Sequence, residues 1–249
     1  MAQIASELCQ LAQKQDRVLR MSSLEVMKIA ILLLNTKFPK EIQKDVVDVA
    51  APYIKDDDFF LAQLSLEVLA KIFEINPTSS ATYKTAIENC VKLTKSSLVQ
   101  GNTTNRLSEV FNLVGLYKLS DSSALFNSLM SDLNKNCLFN VSKALAGLVL
   151  GVDENSRKGF IQQLLGKVIF AIFCSILMKP LKHKKISNSS TEAITKQVSL
   201  LTIAEIGKKI KFDDNKGLLN LIITLFQTKE EDTKYYAAVA LGGIAVVSL

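Results

Sequence analysis

The chain has no tryptophan, one histidine, and only ten glycines and four prolines among its 249 residues. So little glycine and proline disfavours both turn-rich β architectures and disorder. The sole histidine, His183, lies in a short basic run, which removes His-based triads and multi-histidine metal sites. Neither G-x-x-x-x-G-K-[ST] nor G-x-G-x-x-G occurs, and Gly166-Lys167 is a lone Gly-Lys pair, so no phosphate-cradling loop is present. The four cysteines, Cys9, Cys90, Cys137 and Cys174, form no C-x-x-C pair. That spacing suits reduced, buried thiols in the cytoplasm or nucleus better than disulfides or a zinc site. The reading is a protein with no metal and no cofactor, and not an enzyme.

Long apolar runs are also missing. The longest, Val168 to Met178, is eleven residues interrupted by Ser175, against about 20 for a membrane-spanning helix. The N-terminal residues lack the charged and apolar regions of a secretory signal, so the sequons at Asn102, Asn140 and Asn188 carry no weight. A net charge of +6 comes from 30 basic residues scattered among 24 acidic ones, without the basic stripe and interleaved aromatics that nucleic-acid binding requires. No membrane and no nucleic-acid partner is expected.

What is present is helical periodicity and a 48% hydrophobic content. One tetrad recurs: apolar, small or Val, any residue, apolar. It reads Ile29-Ala30-Ile31-Leu32, Leu69-Ala70-Lys71-Ile72, Leu113-Val114-Gly115-Leu116, Leu145-Ala146-Gly147-Leu148, Ile203-Ala204-Glu205-Ile206 and Leu241-Gly242-Gly243-Ile244. The steps are 40, 44, 32, 58 and 38 residues, most of them near the period of HEAT or armadillo repeats. Each tetrad sits on a B helix preceded by an amphipathic A helix. The A helices are expected near 4–12, 40–53, 83–95, 124–133, 159–165 and 218–226. Asp56 to Asp58 should cap the second B helix and Pro77 should end it. The small residue in each tetrad should let neighbouring helices approach closely.

The expected fold is all-α: a HEAT/armadillo-like right-handed α-solenoid of about six helix pairs, spanning 1–249 as one unit. The 58-residue step locates an insertion near 171–190, either a loop or a lengthened A helix whose apolar end packs on the solenoid edge. A solenoid works through surface. The weak partner-binding candidates are Gln63, Glu67 and Lys71, four residues apart on one B helix. Carboxylate groups at B-helix starts, such as Asp57 with Asp58 and Glu230 to Asp232, read as caps rather than acid-base pairs.

Several blocks carry a resemblance to a known family. They are "LAQKQDRVLRMSSLEVMKIAILLLNTKFPKEI", "AAPYIKDDDFFLAQLSLEVLAKIFEINP" with Pro52, Asp58, Gln63 and Pro77, "SSLVQGNTTNRLSEVFNLV" with Leu98, Gln100 and Gly101, and the block from Ser199 to Leu249 with Glu205, Gly207, Glu231, Lys234, Ala238, Leu241 and Gly242. In this order they resemble the cullin-associated, neddylation-dissociated family, long HEAT-repeat regulators of cullin-RING ubiquitin ligases. The resemblance implies an internal fragment of a longer protein. It also implies a cullin and its RING subunit as partners and promotion of substrate-receptor exchange; no contact residue transfers. An importin-type transport receptor and a phosphatase-type scaffold are the alternative solenoid readings. The first lacks its Trp/Asn pairs here, and the uneven steps argue against the second.

Overall fold

A computed structural model describes residues 2–77, 80–177, 188–212 and 216–248. Twelve α-helices occur among them: α1 (Ala2–Ala12), α2 (Arg17–Leu34), α3 (Lys40–Ala50), α4 (Phe59–Ile75), α5 (Ser80–Thr94), α6 (Asn102–Leu116), α7 (Ser122–Met130), α8 (Leu138–Gly151), α9 (Glu154–Leu177), α10 (Asn188–Gly207), α11 (Lys216–Leu225) and α12 (Glu231–Ser248). Odd-numbered helices are the A helices and even-numbered ones the B helices, so the six expected pairs are present. Local chemistry starts several of them. The carboxylates of Asp16, Asp58 and Asp121 accept from free backbone N–H groups in the first turns of α2, α4 and α7. Of the triplet Asp56 to Asp58 only Asp58 caps; Asp56 accepts from Ser96 Oγ at 2.7 Å and Asp57 pairs with Lys55.

The pairs stack in chain order. Each B helix packs on the next, α2 on α4 through to α10 on α12, over more residues than neighbouring A helices share. The B helices are therefore the inner, more closely spaced side of a curved stack. Helix α4 shows what this demands: Leu64, Val68 and Ile72 on one row and Leu66, Leu69, Ala70 and Phe73 on the other are all buried. Only a narrow outward stripe remains, as expected for a helix covered by its A partner and both neighbours. The 58-residue step does not break the stack. Ser142 Oγ on α8, 2.7 Å from the Leu138 carbonyl of its own helix, shares its proton with the Val198 carbonyl on α10 at 3.2 Å.

In unit five the described parts of the 171–190 span are helical. Residues 171–177 belong to α9 and 188–190 to α10, while 178–187, with the basic run at Lys182 to Lys185, lie outside the described residues. Nor does all of the apolar segment pack. Val168 and Ala171 are buried, but Ile169, Phe170 and Phe173 on the other side of α9 are 52%, 60% and 57% exposed.

The closest helix contacts rest on glycine. A Cβ built on Gly147 of α8 would stand 2.1 Å from the Ser108 carbonyl oxygen of α6, and one on Gly243 of α12 2.3 Å from the Ala204 oxygen of α10. Both glycines stand third in the recurring tetrad, so these backbone contacts fall on its unrestricted position and not on the small second one, where a Cβ on Gly242 would meet nothing within 4 Å. Gly147→Ala should push α6 and α8 apart and cost about 1–3 kcal/mol or more. Gly166→Ala, on an exposed face of α9 with nothing within 4 Å, should be neutral or add up to about 1 kcal/mol through helix propensity. Denaturant unfolding of the two variants beside the parent chain separates these outcomes.

Candidate protein-interaction surface

The outward stripes of the B helices line the inner side. On α4 the stripe is Phe60, Gln63, Glu67, Lys71 and Glu74. Glu67 is its centre: Oε2 receives Lys28 Nζ of α2 at 3.1 Å, and Oε1 receives Arg106 Nε of α6 at 3.1 Å and Gln63 Nε2 at 3.2 Å. Lys28 also pairs with Glu25 at 2.7 Å, and Arg106 with Glu109 at 2.7 Å. A ladder of two cations and three carboxylates thus crosses three units. Lys143 on α8 continues the same edge, donating to Asn105 Oδ1 at 2.7 Å and standing 4.8 Å from the centre of the Phe139 ring.

Of the three candidate residues, the structure brings Gln63 and Glu67 together. Lys71 turns to Glu74 at 2.7 Å. The charge of Glu67 is spent on joining repeats, which leaves its apolar neighbours as the reactive part of the surface. Val18, Phe60 and Phe139 stand 69%, 70% and 52% exposed, each at the second residue of its B helix. The Arg17 guanidinium lies 5.9 Å from the Phe60 ring centre while binding the Asp58 carboxylate. Exposed aromatics with a nearby cation suit protein contact better than chemistry. These residues were not singled out by sequence reasoning, although the equal 39-residue spacing of Lys28, Glu67 and Arg106, with alternating sign, was a usable signal for the ladder.

Other clefts offer less. One of about 410 Å³ between α6 and α8 is lined by Ser108, Asn112, Gly147 and Arg157. The polar groups just named are engaged: Arg157 donates to the Val149, Leu150 and Val152 carbonyls, Ser108 to that of Lys143 and Asn112 to that of Gly147. A second, of about 460 Å³, lies between α9 and α10 beside Phe170. Among the described residues no cluster of three or more His, Cys, Asp or Glu could hold a metal ion, and no helix is long and apolar enough to cross a membrane. Cys9, Cys90 and Cys137 are buried and free. Burial, with Asp45 nearby, pushes the Cys9 thiol up to about 11, and burial drives Cys90 upward as well. The side chain of Cys174 lies outside the described residues.

No family model matches the chain. It is 27% identical over 243 residues to cullin-associated NEDD8-dissociated protein 1 of Drosophila melanogaster, covering 95% of this chain and 19% of that protein. The Arabidopsis thaliana protein of the same name is 24% identical over 260 residues, covering 99% and 20%, and that of Dictyostelium discoideum 26% over 242, covering 95% and 19%. Its relatives are cullin-associated NEDD8-dissociated proteins. The chain spans about a fifth of the length of these cullin-associated relatives. Similar solved structures include a computationally designed armadillo repeat protein for modular peptide recognition (TM-score 0.45, 15% identity, 95% of this chain and 98% of that one). Another is a designed armadillo repeat protein in complex with the peptide (KR)4 (TM-score 0.45, 12% identity, 96% and 98%).

The ladder has a pH signature. Burial alone would raise the Glu67 pKa, but the hydrogen bonds from Gln63 and Lys28 and the charges of Lys28 and Arg106 outweigh it and hold the carboxyl below the ordinary glutamate value. A depressed folded-state pKa stabilises the fold above the unfolded value and ceases to as pH falls through the folded value. Glu67→Gln should therefore destabilise by about 1 kcal/mol at neutral pH, and the gap should close below about pH 4. Unfolding free energies of both proteins across that pH range provide the check; a gap that widens on acidification is the opposite result.

Proposed function

We propose that this chain is a non-catalytic scaffold segment that binds a cullin and its RING subunit, and that within a cullin-associated regulator it serves substrate-receptor exchange in the cytoplasm or nucleus. The observation that carries this reading is collinear similarity over at least 95% of the chain to cullin-associated proteins from an insect, a plant and an amoeba. The geometry supports it physically. A curved stack exposes a long inner surface, and that surface presents spaced apolar anchors, Val18, Phe60 and Phe139, beside a polar centre whose charges are paired within the chain. Interfaces commonly concentrate their energy in such exposed aromatic groups.

The test is retention of a purified, unmodified cullin–RING complex on the immobilised chain, with the neddylated complex in parallel. Retention of the unmodified form and loss on neddylation are expected, with Phe60→Ala weakening binding about tenfold or more. Failure to retain either form, together with capture of transport cargo or phosphatase subunits, moves the protein to another class of solenoid.

A further inference from the structure

A cleft of about 240 Å³ lies between units one and two, at the starts of α2 and α4. Arg17 and Arg20 reach it from the first turn of α2, and Lys55, Asp57 and Asp58 from the turn into α4; Tyr53 and Leu61 complete the lining. Two of its three cations are already engaged. Arg17 binds the Asp58 carboxylate through Nε and Nη2, and Lys55 pairs with Asp57 at 2.6 Å.

Arg20 differs from both. Its Nε donates to the Lys14 carbonyl, and its guanidinium stands 5.4 Å from the centre of the Tyr53 ring, whose hydroxyl donates in turn to the Ala12 carbonyl. Nη1 and Nη2 have no acceptor among the described residues. A half-buried guanidinium is thus held in place with its fork unfilled beside a cleft. Such a planar fork matches a carboxylate two-pronged, and holding it in advance lowers the entropy cost of binding.

Charge and neighbourhood narrow the ligand. Three cations and two carboxylates line the cleft, so one positive charge is left over; a single carboxylate balances it, whereas a phosphate dianion exceeds it. Apolar surface adjoins the charge, since Phe60, 70% exposed, lies 5.9 Å from the Arg17 guanidinium at the cleft wall. We propose that the cleft receives a Glu or Asp side chain of a partner protein, bound by Arg20, while a neighbouring apolar side chain of that partner rests on Phe60. This rests on the protein-binding reading above and adds the chemistry the partner offers here: an acidic residue beside an apolar one.

Fluorescence anisotropy on the full chain, with labelled peptides of four Glu-Leu repeats and of four Gln-Leu repeats, tests it. The Glu peptide should bind about tenfold tighter than the Gln peptide. Arg20→Gln should abolish that difference without changing the affinity for the Gln peptide. Arg20→Lys, which keeps the charge and loses the fork, should retain part of the difference, and Phe60→Ala should weaken both peptides alike. Circular dichroism must show the variants folded; should Arg20→Gln fail to fold, Arg20→Lys and the preference of the parent chain decide. Equal affinity of the parent chain for the two peptides overturns the proposal, as does a Glu preference that survives in Arg20→Gln. Displacement of the Glu peptide by inorganic phosphate at the peptide's own concentration overturns it too, by marking a site for small anions. No cullin enters this assay, so a chain that prefers the Glu peptide yet fails to retain the cullin–RING complex loses only the cullin reading, and the reverse result loses only the cleft.

Discussion

Everything in this architecture depends on how closely one B helix can lie against the next. Each pair buries its own apolar seam, but the pair is complete only when its B helix is covered on both flanks, because stability in a stacked array comes from units and the contacts between neighbours. The tightest contacts remove side chains altogether: the Ser108 carbonyl stands where a Cβ of Gly147 would be, and the Asn112 carbonyl where that of Gly151 would be. Helices that meet backbone to backbone have little freedom to slide. The α2 to α4 contact contains no glycine and is tied instead by ion pairs, Lys28 with Glu67 and Arg17 with Asp58, so the stack is held differently along its length.

Polar side chains then settle the vertical register that apolar packing leaves open. Asn140 is the clearest case. Buried at 4% exposure, it donates to the Ser96 and Val99 carbonyls of the preceding turn and accepts from Thr104. Leaving such groups unpaired costs about 1–3 kcal/mol each, so the turn into α6 has one favoured seat on α8. Asn89 does the same between α5 and the Ala51 carbonyl. These bonds join residues of neighbouring units, which makes them part of the stacking rather than of any one hairpin.

The sequence showed the part of this that has a period. Helix count, the A and B alternation and the Asp58 cap were legible because amphipathicity and capping are local. The tetrad located every B helix, but the glycines in backbone contact, Gly147 and Gly243, stand at its third position and not at its small second one, and its steps of 40, 44, 32, 58 and 38 residues show that its height on the helix drifts. Equal tetrads are therefore not equally buried: Leu69 is covered and Ile29 is 45% exposed. The lengthening of α9 was one of two readings that the sequence left open, since an apolar run of that length continues a helix or packs as an insertion equally well. The outward stand of Phe170 and Phe173 was not legible, because nothing local says which face of α9 its neighbours cover. Among the candidates Gln63, Glu67 and Lys71, four-residue spacing identified a shared face but could not reveal that Glu67 is clamped by cations 39 residues away on either side.

That clamp bears on how such a surface can act. A charge already shared between Lys28 and Arg106 contributes little to a partner, since a new contact must first displace pairs that are partly shielded from water. The apolar groups at the B-helix starts have no such prior engagement, except that Arg17 and Lys143 lean over Phe60 and Phe139. If this side meets a partner as proposed, shape and apolar fit at the rim govern recognition, while the ladder beneath fixes the spacing at which the rim residues are presented. Any change that loosens the ladder alters the distance between anchors before it alters their chemistry, so stacking and binding draw on the same contacts.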